Sequence, residues 1–333
     1  MGKDASMRQL MAGLAGLTLM AACQPADTEE PAGTGPESSA PASDEAPATS
    51  EVYGDPPHGT REALPRTVIE GPDFTLTELW QLDGFDDPQG LLHLPDGSYL
   101  IANSGGGRGE IDADGWISKV SADGEMLAER FAVGMTAPGG MVLDRGILYV
   151  ADGDTIHMVD PDNGILMRSI AVPGAGRLSD ITALNASLYA VDGSDGTLYQ
   201  IAGADVAEWV QDERLTGARS LLADQDGLLV PAGASGSVYR VDEAKRVSET
   251  MSGLTGVNAV APLEAGYLAT AAPGRIVAIS GDGTRETLLD TEENGILQAG
   301  IHVFGDTVVT LNPLPGTVKA WQIGPANAGA SDD

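Results

Sequence analysis

The sequence predicts an all-β protein, a six-bladed β-propeller of four-stranded antiparallel blades. Three observations predict it. A strand signal recurs six times, as Tyr99-Leu100-Ile101-Ala102-Asn103, Leu148-Tyr149-Val150-Ala151-Asp152, Leu188-Tyr189-Ala190-Val191-Asp192, Leu228-Leu229-Val230-Pro231-Ala232, Tyr267-Leu268-Ala269-Thr270-Ala271 and Val308-Val309-Thr310-Leu311-Asn312. Equivalent positions (Leu100, Tyr149, Tyr189, Leu229, Leu268, Val309) are 49, 40, 40, 39 and 41 residues apart, the period of a propeller blade. Glycine is abundant (44 of 333 residues) and aromatics make up only 5%, which suits many tight turns. Finally, Asp-Gly pairs such as Asp123-Gly124 and Asp282-Gly283 separate strand-like runs, where they close hairpins.

The elements follow in order. Residues 1–22 read as a lipoprotein signal peptide: basic Lys3 and Arg8 precede an apolar run, Leu10 to Met20, and then Ala21-Ala22-Cys23. The run is too short to span a bilayer and has the length of a signal h-region. Small residues before the chain's one cysteine resemble the bacterial lipobox, so Cys23 is the expected lipidation site, with anchoring in the cell envelope and the outer membrane as the expected location. The alternatives are an ordinary secretory signal and a true start at Met7. Residues 23–72, rich in Pro, Ala, Ser, Thr, Gly and Glu, are expected to be a disordered acidic tether, unable to bury enough apolar surface to offset chain entropy. Fifty such residues reach roughly 40 Å. His58, within it, is given no role.

The propeller is expected over residues 73–324. Phe74 to Trp80 alternates as a half-buried strand does. Six units follow, with third strands at Trp116–Val120, Thr155–Val159, Thr197–Ile201, Ser237–Val241, Arg275–Ile279 and Thr317–Ile323 and fourth strands such as Leu127–Phe131 and Ile165–Ile170. The last unit lacks its outer strand, and Phe74–Trp80 is left over at the start. The economical solution lets the first strand complete blade six, which removes open sheet edges. Asp152, Asp192, Asn103 and Asn312 end second strands, where short polar side chains cap turns. Residues 325–333 are expected to be a frayed tail.

The net charge of −31 excludes a nucleic-acid partner and repels anionic headgroups. One cysteine allows no internal disulfide. His93, His157 and His302 lie within strands, without a nucleophile elbow or an H-E-x-x-H motif. The Gly-rich insertion Ser104 to Gly115 explains most of the 49-residue step; its Asp112 and Asp114 lack EF-hand spacing.

Pro88-Gln89-Gly90-Leu91, followed by His93-Leu94-Pro95-Asp96-Gly97-Ser98-Tyr99, resembles the P-E-G-L and P-D-G pattern of gluconolactonase/regucalcin-type six-bladed propellers. It is also similar to NHL-repeat and strictosidine-synthase-like propellers. The resemblance covers about residues 74–323. It implies a channel holding one divalent cation, Ca or Zn, that polarises a lactone carbonyl while an Asp helps activate water. The ligands it implies are the Glu of P-E-G and Asn and Asp residues at later inner strands. In the corresponding places this chain has Gln89, Gly139, Ser179, Arg219, Asn258 and Ala299. The Glu has become Gln, and Arg219 stands where an Asp is expected, so a fixed cation opposes metal binding. Asp180 is one residue out of register and turns inward only if a bulge re-aims it. Gln89, Asp180 and Asn258 are the donors left for a metal; no cofactor is otherwise implied.

The function these readings favour is a membrane-tethered, extracytoplasmic, monomeric propeller. It binds a small ligand or protein partner at its channel mouth through Gln89, Ser179, Asp180, Arg219 and Asn258, without catalysis. Arg219 suits a carboxylate or sugar acid, unless it pairs internally with Asp180. The alternatives are a hydrolase of the gluconolactonase/arylesterase type with a remodelled metal site, and an assembly scaffold.

Overall fold

The structure, a computed structural model, describes residues 67–105, 114–203 and 205–326. The signal peptide, Cys23, His58, most of the tether, Asp112 and the end of the tail lie outside the described residues.

The six repeats form six antiparallel sheets, five of them with their strands in sequence order from an inner to an outer strand. Blade one contains Pro88–His93, Tyr99–Asn103, Gly115–Val120 and Met126–Met135. Blade two contains Pro138–Asp144, Ile147–Asp152, Thr155–Val159 and Leu166–Ala171. Blade three contains Leu178–Leu184, Ser187–Asp192, Thr197–Ala202 and Asp205–Gln211. Blade four has a short inner strand, Leu222–Asp224, then Gly227–Ala232, Ser237–Val241 and Val247–Met251. Blade five contains Val257–Leu263, Gly266–Ala271, Arg275–Ser280 and Arg285–Asp290. Blade six contains Gly300–Phe304, Thr307–Asn312 and Thr317–Pro325. Each inner strand packs against the next blade, at its inner strand in every case but one. Between blades four and five the second strand of blade four makes the approach, and the sixth inner strand returns to the first. The ring therefore closes.

Closure is by the strand that precedes blade one. Phe74–Asp83 pairs antiparallel with Thr317–Pro325, from Phe74 opposite Pro325 to Asp83 opposite Thr317. A further strand not anticipated from the sequence, Val68–Glu70, pairs outside it, so the last residues assigned to the tether join blade six. The join is tightened where blade six meets blade one. The Trp80 indole donates to Ala122 O at 2.9 Å, and its ring lies 2.6 Å from where a Cβ on Gly124 would stand. Gly124 also has φ +83°, so both the turn and the close approach exclude a side chain.

Six apolar clusters hold the ring, one per blade interface. The second strands sit between two of them. Leu100 and Ala102 face blade two, while Tyr99 and Ile101 face blade six. Every residue of Tyr99–Asn103 is therefore buried. The outer strands Val247–Met251 and Arg285–Asp290 contain no buried residue.

Candidate functional site

The predicted turn-capping residues perform one job in four blades. Asp152 accepts from the backbone N–H groups of Thr136 and Ala137 at 2.7 and 2.6 Å, and from His157 Nε2 at 2.9 Å. Asp192 accepts from Gly176 and Arg177. Asn103 accepts from the Asp86 N–H, and Asn312 donates to Leu297 O. Each ties the end of a second strand to the segment entering the inner strand beside it. Burial opposes the charge on Asp152, yet bonds from His157 and the two amides hold its carboxyl below the usual range.

Those entering segments shape the channel mouth. The inner-strand ladders slip at the same place in four blades: between Pro88 and Gly90, Pro138 and Met141, Leu178 and Asp180, and Val257 and Ala259. Gln89, Ser179 and Asn258 occupy three of these slips, where a bulge lifts a residue out of the pleat and re-aims its side chain. In blade four regular pairing is replaced by a single bridge, Ala218 to Ala232, before the strand resumes at Leu222. Arg219 and Ser220 lie in that interruption.

Gln89, Arg219 and Asn258, with Ala299, line one cavity of about 520 Å³; Gln89, Gly139, Ser179 and Arg219 line a recess beside it. The residues indexed from the repeat thus converge. Asp180 does not join them at the surface. Its Oδ1 accepts from the Ile181 N–H at 2.8 Å and its Oδ2 from the Leu221 N–H at 2.6 Å. The carboxyl fills the space beside Gly140, where an added Cβ would lie 1.6 Å from Oδ1. Desolvation in this enclosure raises its pKa to about 7, against the lowering effect of the two amides.

The alternative internal pairing of Arg219 with Asp180 is absent from the ion pairs of the described residues; the Leu221 amide donates to that carboxylate instead. A second guanidinium, Arg177, lines the same cavity and recess. Both arginines are exposed, and neither side chain has a hydrogen-bond or ion-pair partner among the described residues. The sequence reading missed Arg177. The repeat contained the signal, since Arg177 precedes Ser179 by two residues as Asp87 precedes Gln89, but only the innermost position was indexed. Asp87 is the carboxylate of this mouth, and it is engaged by Gln89 Nε2 at 2.6 Å and by the Ser104 hydroxyl.

The residues present do not form a cation cage. Among the described residues no three of His, Cys, Asp and Glu cluster as metal ligands. Gln89 bonds Asp87, Asn258 Nδ2 donates to Gln298 O at 3.1 Å, and Asp180 binds two amides, so the three candidate donors point at separate partners. The histidines are packed: His93 against Tyr99 and Phe304, and His302 parallel to Phe304, where burial lowers its pKa to about 4.

These features define a six-bladed β-propeller with an arginine-bearing channel mouth. No family model matches the chain. Its fold is similar to that of a putative gluconolactonase, with 14% identity, TM-score 0.58, and coverage of 78% of this chain and 98% of the other. It is also similar to virginiamycin B lyase from Staphylococcus aureus, with 15% identity, TM-score 0.53, and 75% and 99% coverage. Identities this low show the fold alone. A stretch of 88 residues is 36% identical to soluble calcium-activated nucleotidase 1 of Mus musculus, covering 26% of this chain and 19% of that protein. No helix among the described residues is long and apolar enough to cross a membrane.

Proposed function

We propose that this chain is a tethered extracytoplasmic propeller that binds a small organic anion at its channel mouth without transforming it. The observation that carries the proposal is the pair Arg177 and Arg219. Both line one cavity, and neither side chain has a partner among the described residues. The chain carries 49 acidic and 18 basic residues, so carboxylates are plentiful as partners. Two guanidiniums left free at one mouth are poised for forked hydrogen bonds to a carboxylate or phosphate. Gln89, Ser179 and Asn258 add neutral polar groups. Overall charge repels anions, so recognition is local, acting within about 8 Å at physiological salt. Lipidation at Cys23 and the linker after it hold the domain near a membrane surface.

Calorimetric titration with gluconate, inorganic phosphate and adenosine monophosphate tests the binding. The last probe is included because of the nucleotidase-like stretch. At least one should bind, and Arg177→Ala or Arg219→Ala should weaken it about tenfold or more, the cost of one charged hydrogen-bonding partner. Absence of binding by all three, or wild-type affinity in both variants, overturns the reading. Chelator-sensitive turnover of a lactone would favour the metal-dependent hydrolase instead. Labelling with radioactive palmitate, lost in Cys23→Ala, tests the anchor.

A further inference from the structure

The inner strand of blade five starts at the channel mouth with Asn258 and leaves the ring at Leu263. At that far end, between blades five and six, lies a second cavity of about 510 Å³. Its size is within the range of small-molecule sites. Its walls are apolar: Phe74, Leu263, Val303 and Ile323 line it. The same four are only partly buried, at the fringe of the cluster between these blades. Core packing stops short here, leaving apolar surface facing the cavity.

The rim has the opposite character to the channel mouth. Asp73, Glu264 and Asp306 line it, no lysine or arginine does, and all three are exposed. None of their carboxylates has an ion pair or side-chain hydrogen bond among the described residues. They come from three separate segments: the lead-in to the closing strand, the blade-five hairpin and the blade-six hairpin. The rings of Phe74 and Tyr267 also line the cavity, and aromatic faces attract cations.

We infer that this cavity is a binding site for a small organic cation with an apolar body, such as an arylalkyl amine. The apolar walls take the body, and the carboxylates of Asp73, Glu264 and Asp306 take the ammonium at the rim. Charge complementarity selects this occupant. An acidic segment of the chain itself would be repelled by the rim, and a neutral apolar molecule would leave the three carboxylates unanswered. The inference is independent of the anion site, which lies at the other end of the strands.

The test is calorimetric titration of the full-length protein with phenethylammonium, phenethyl alcohol and phenylpropionate. The ammonium should bind at least tenfold more tightly than the alcohol, and phenylpropionate should not bind. Part of the affinity should persist in 0.5 M salt, which roughly screens diffuse attraction beyond about 4 Å. The double variant Glu264→Gln/Asp306→Asn should abolish the preference for the ammonium and leave alcohol binding unchanged. Asp123→Asn/Asp162→Asn, at exposed turns of blades one and two, should leave ammonium binding intact. Equal affinities for ammonium and alcohol, no binding of the ammonium, or complete loss at high salt each overturns the inference. So does an equal effect of the two double variants.

Discussion

Asp180 in blade three accepts the backbone N–H of Leu221 in blade four at 2.6 Å. The bond crosses a blade boundary one step beneath the arginine mouth, in the part of blade four where regular pairing is interrupted. The chain continues the pattern around the ring. Ser220 Oγ donates to Asn258 O in blade five, and Asn258 Nδ2 donates to Gln298 O beside blade six. The mouth is therefore held by side-chain to backbone bonds between neighbours, and its positions are coupled to the stability of the ring.

That coupling gives a pH dependence. The Asp180 carboxyl has a pKa of about 7 in the folded protein against 3.8 for the free group. Between these values the folded state holds a proton that the unfolded state has lost. Stability therefore falls as pH rises from about 4 to 7 and levels off above, with a limiting slope of about 1.4 kcal/mol per pH unit from this one group. Urea midpoints measured from pH 5 to 8.5 should show the difference between wild type and Asp180→Asn closing as pH rises. Parallel curves for the two proteins would show that Asp180 does not titrate in this window.

Gly140 makes room for the same carboxyl. A Cβ there would lie 1.6 Å from Asp180 Oδ1 and 2.7 Å from Asp180 Cα. Gly140→Ala should destabilise the protein by about 2–4 kcal/mol, since overpacking forces backbone shifts. Removing the carboxyl in Gly140→Ala/Asp180→Ala should recover part of the loss, not all, because the clash with the backbone of residue 180 remains. A double variant no more stable than additivity predicts would place the clash elsewhere.

Leu76 is fully buried in the closing strand, beside its cross-strand partner Ile69 and in one cluster with Trp321. Leu76→Ala should cost about 2–5 kcal/mol, in the range for a leucine deleted from a packed core. Leu127→Ala, on an outer strand with the side chain more than half exposed, should stay within about 0.5 kcal/mol. Equal losses in chemical denaturation would mean that the first strand does not hold the ring.

The ladder was legible because second strands are buried on both faces, so runs such as Tyr99 to Asn103 read as continuous strand signals. The closing strand was legible from an excess at one end and a deficit at the other. Outer strands were harder: Val247–Met251 faces water, and its sequence carries no apolar alternation. At the mouth the repeat indexed Gln89, Ser179, Arg219 and Asn258 in one dimension, and these residues line adjoining cavities. It gave no access to the third. Whether Asp180 turns outward to Arg219 or inward to the Leu221 amide depends on the local slip of the ladder and on the room left by Gly140. Arg177 was overlooked because only the innermost position of each repeat was indexed, although it stands two residues before Ser179 as Asp87 stands before Gln89.

The Asp152 network makes the last prediction. Its carboxylate meets two backbone N–H groups and His157 Nε2, while His157 Nδ1 lies 2.8 Å from Ser169 Oγ. Burial works against the charge, but these bonds win and hold the pKa below 3.8. The group therefore contributes stability that is present above about pH 4 and is lost as pH falls through its lowered folded value. At pH 7, Asp152→Ala strands two amides and the imidazole, and should cost about 2–4 kcal/mol in urea unfolding. Asp152→Asn retains one acceptor oxygen and should cost less. Because the charged acceptor is what matters, the gap between wild type and Asp152→Asn should shrink at pH 3. A gap that stays constant from pH 7 to pH 3 would show that shape, and not charge, makes Asp152 the cap.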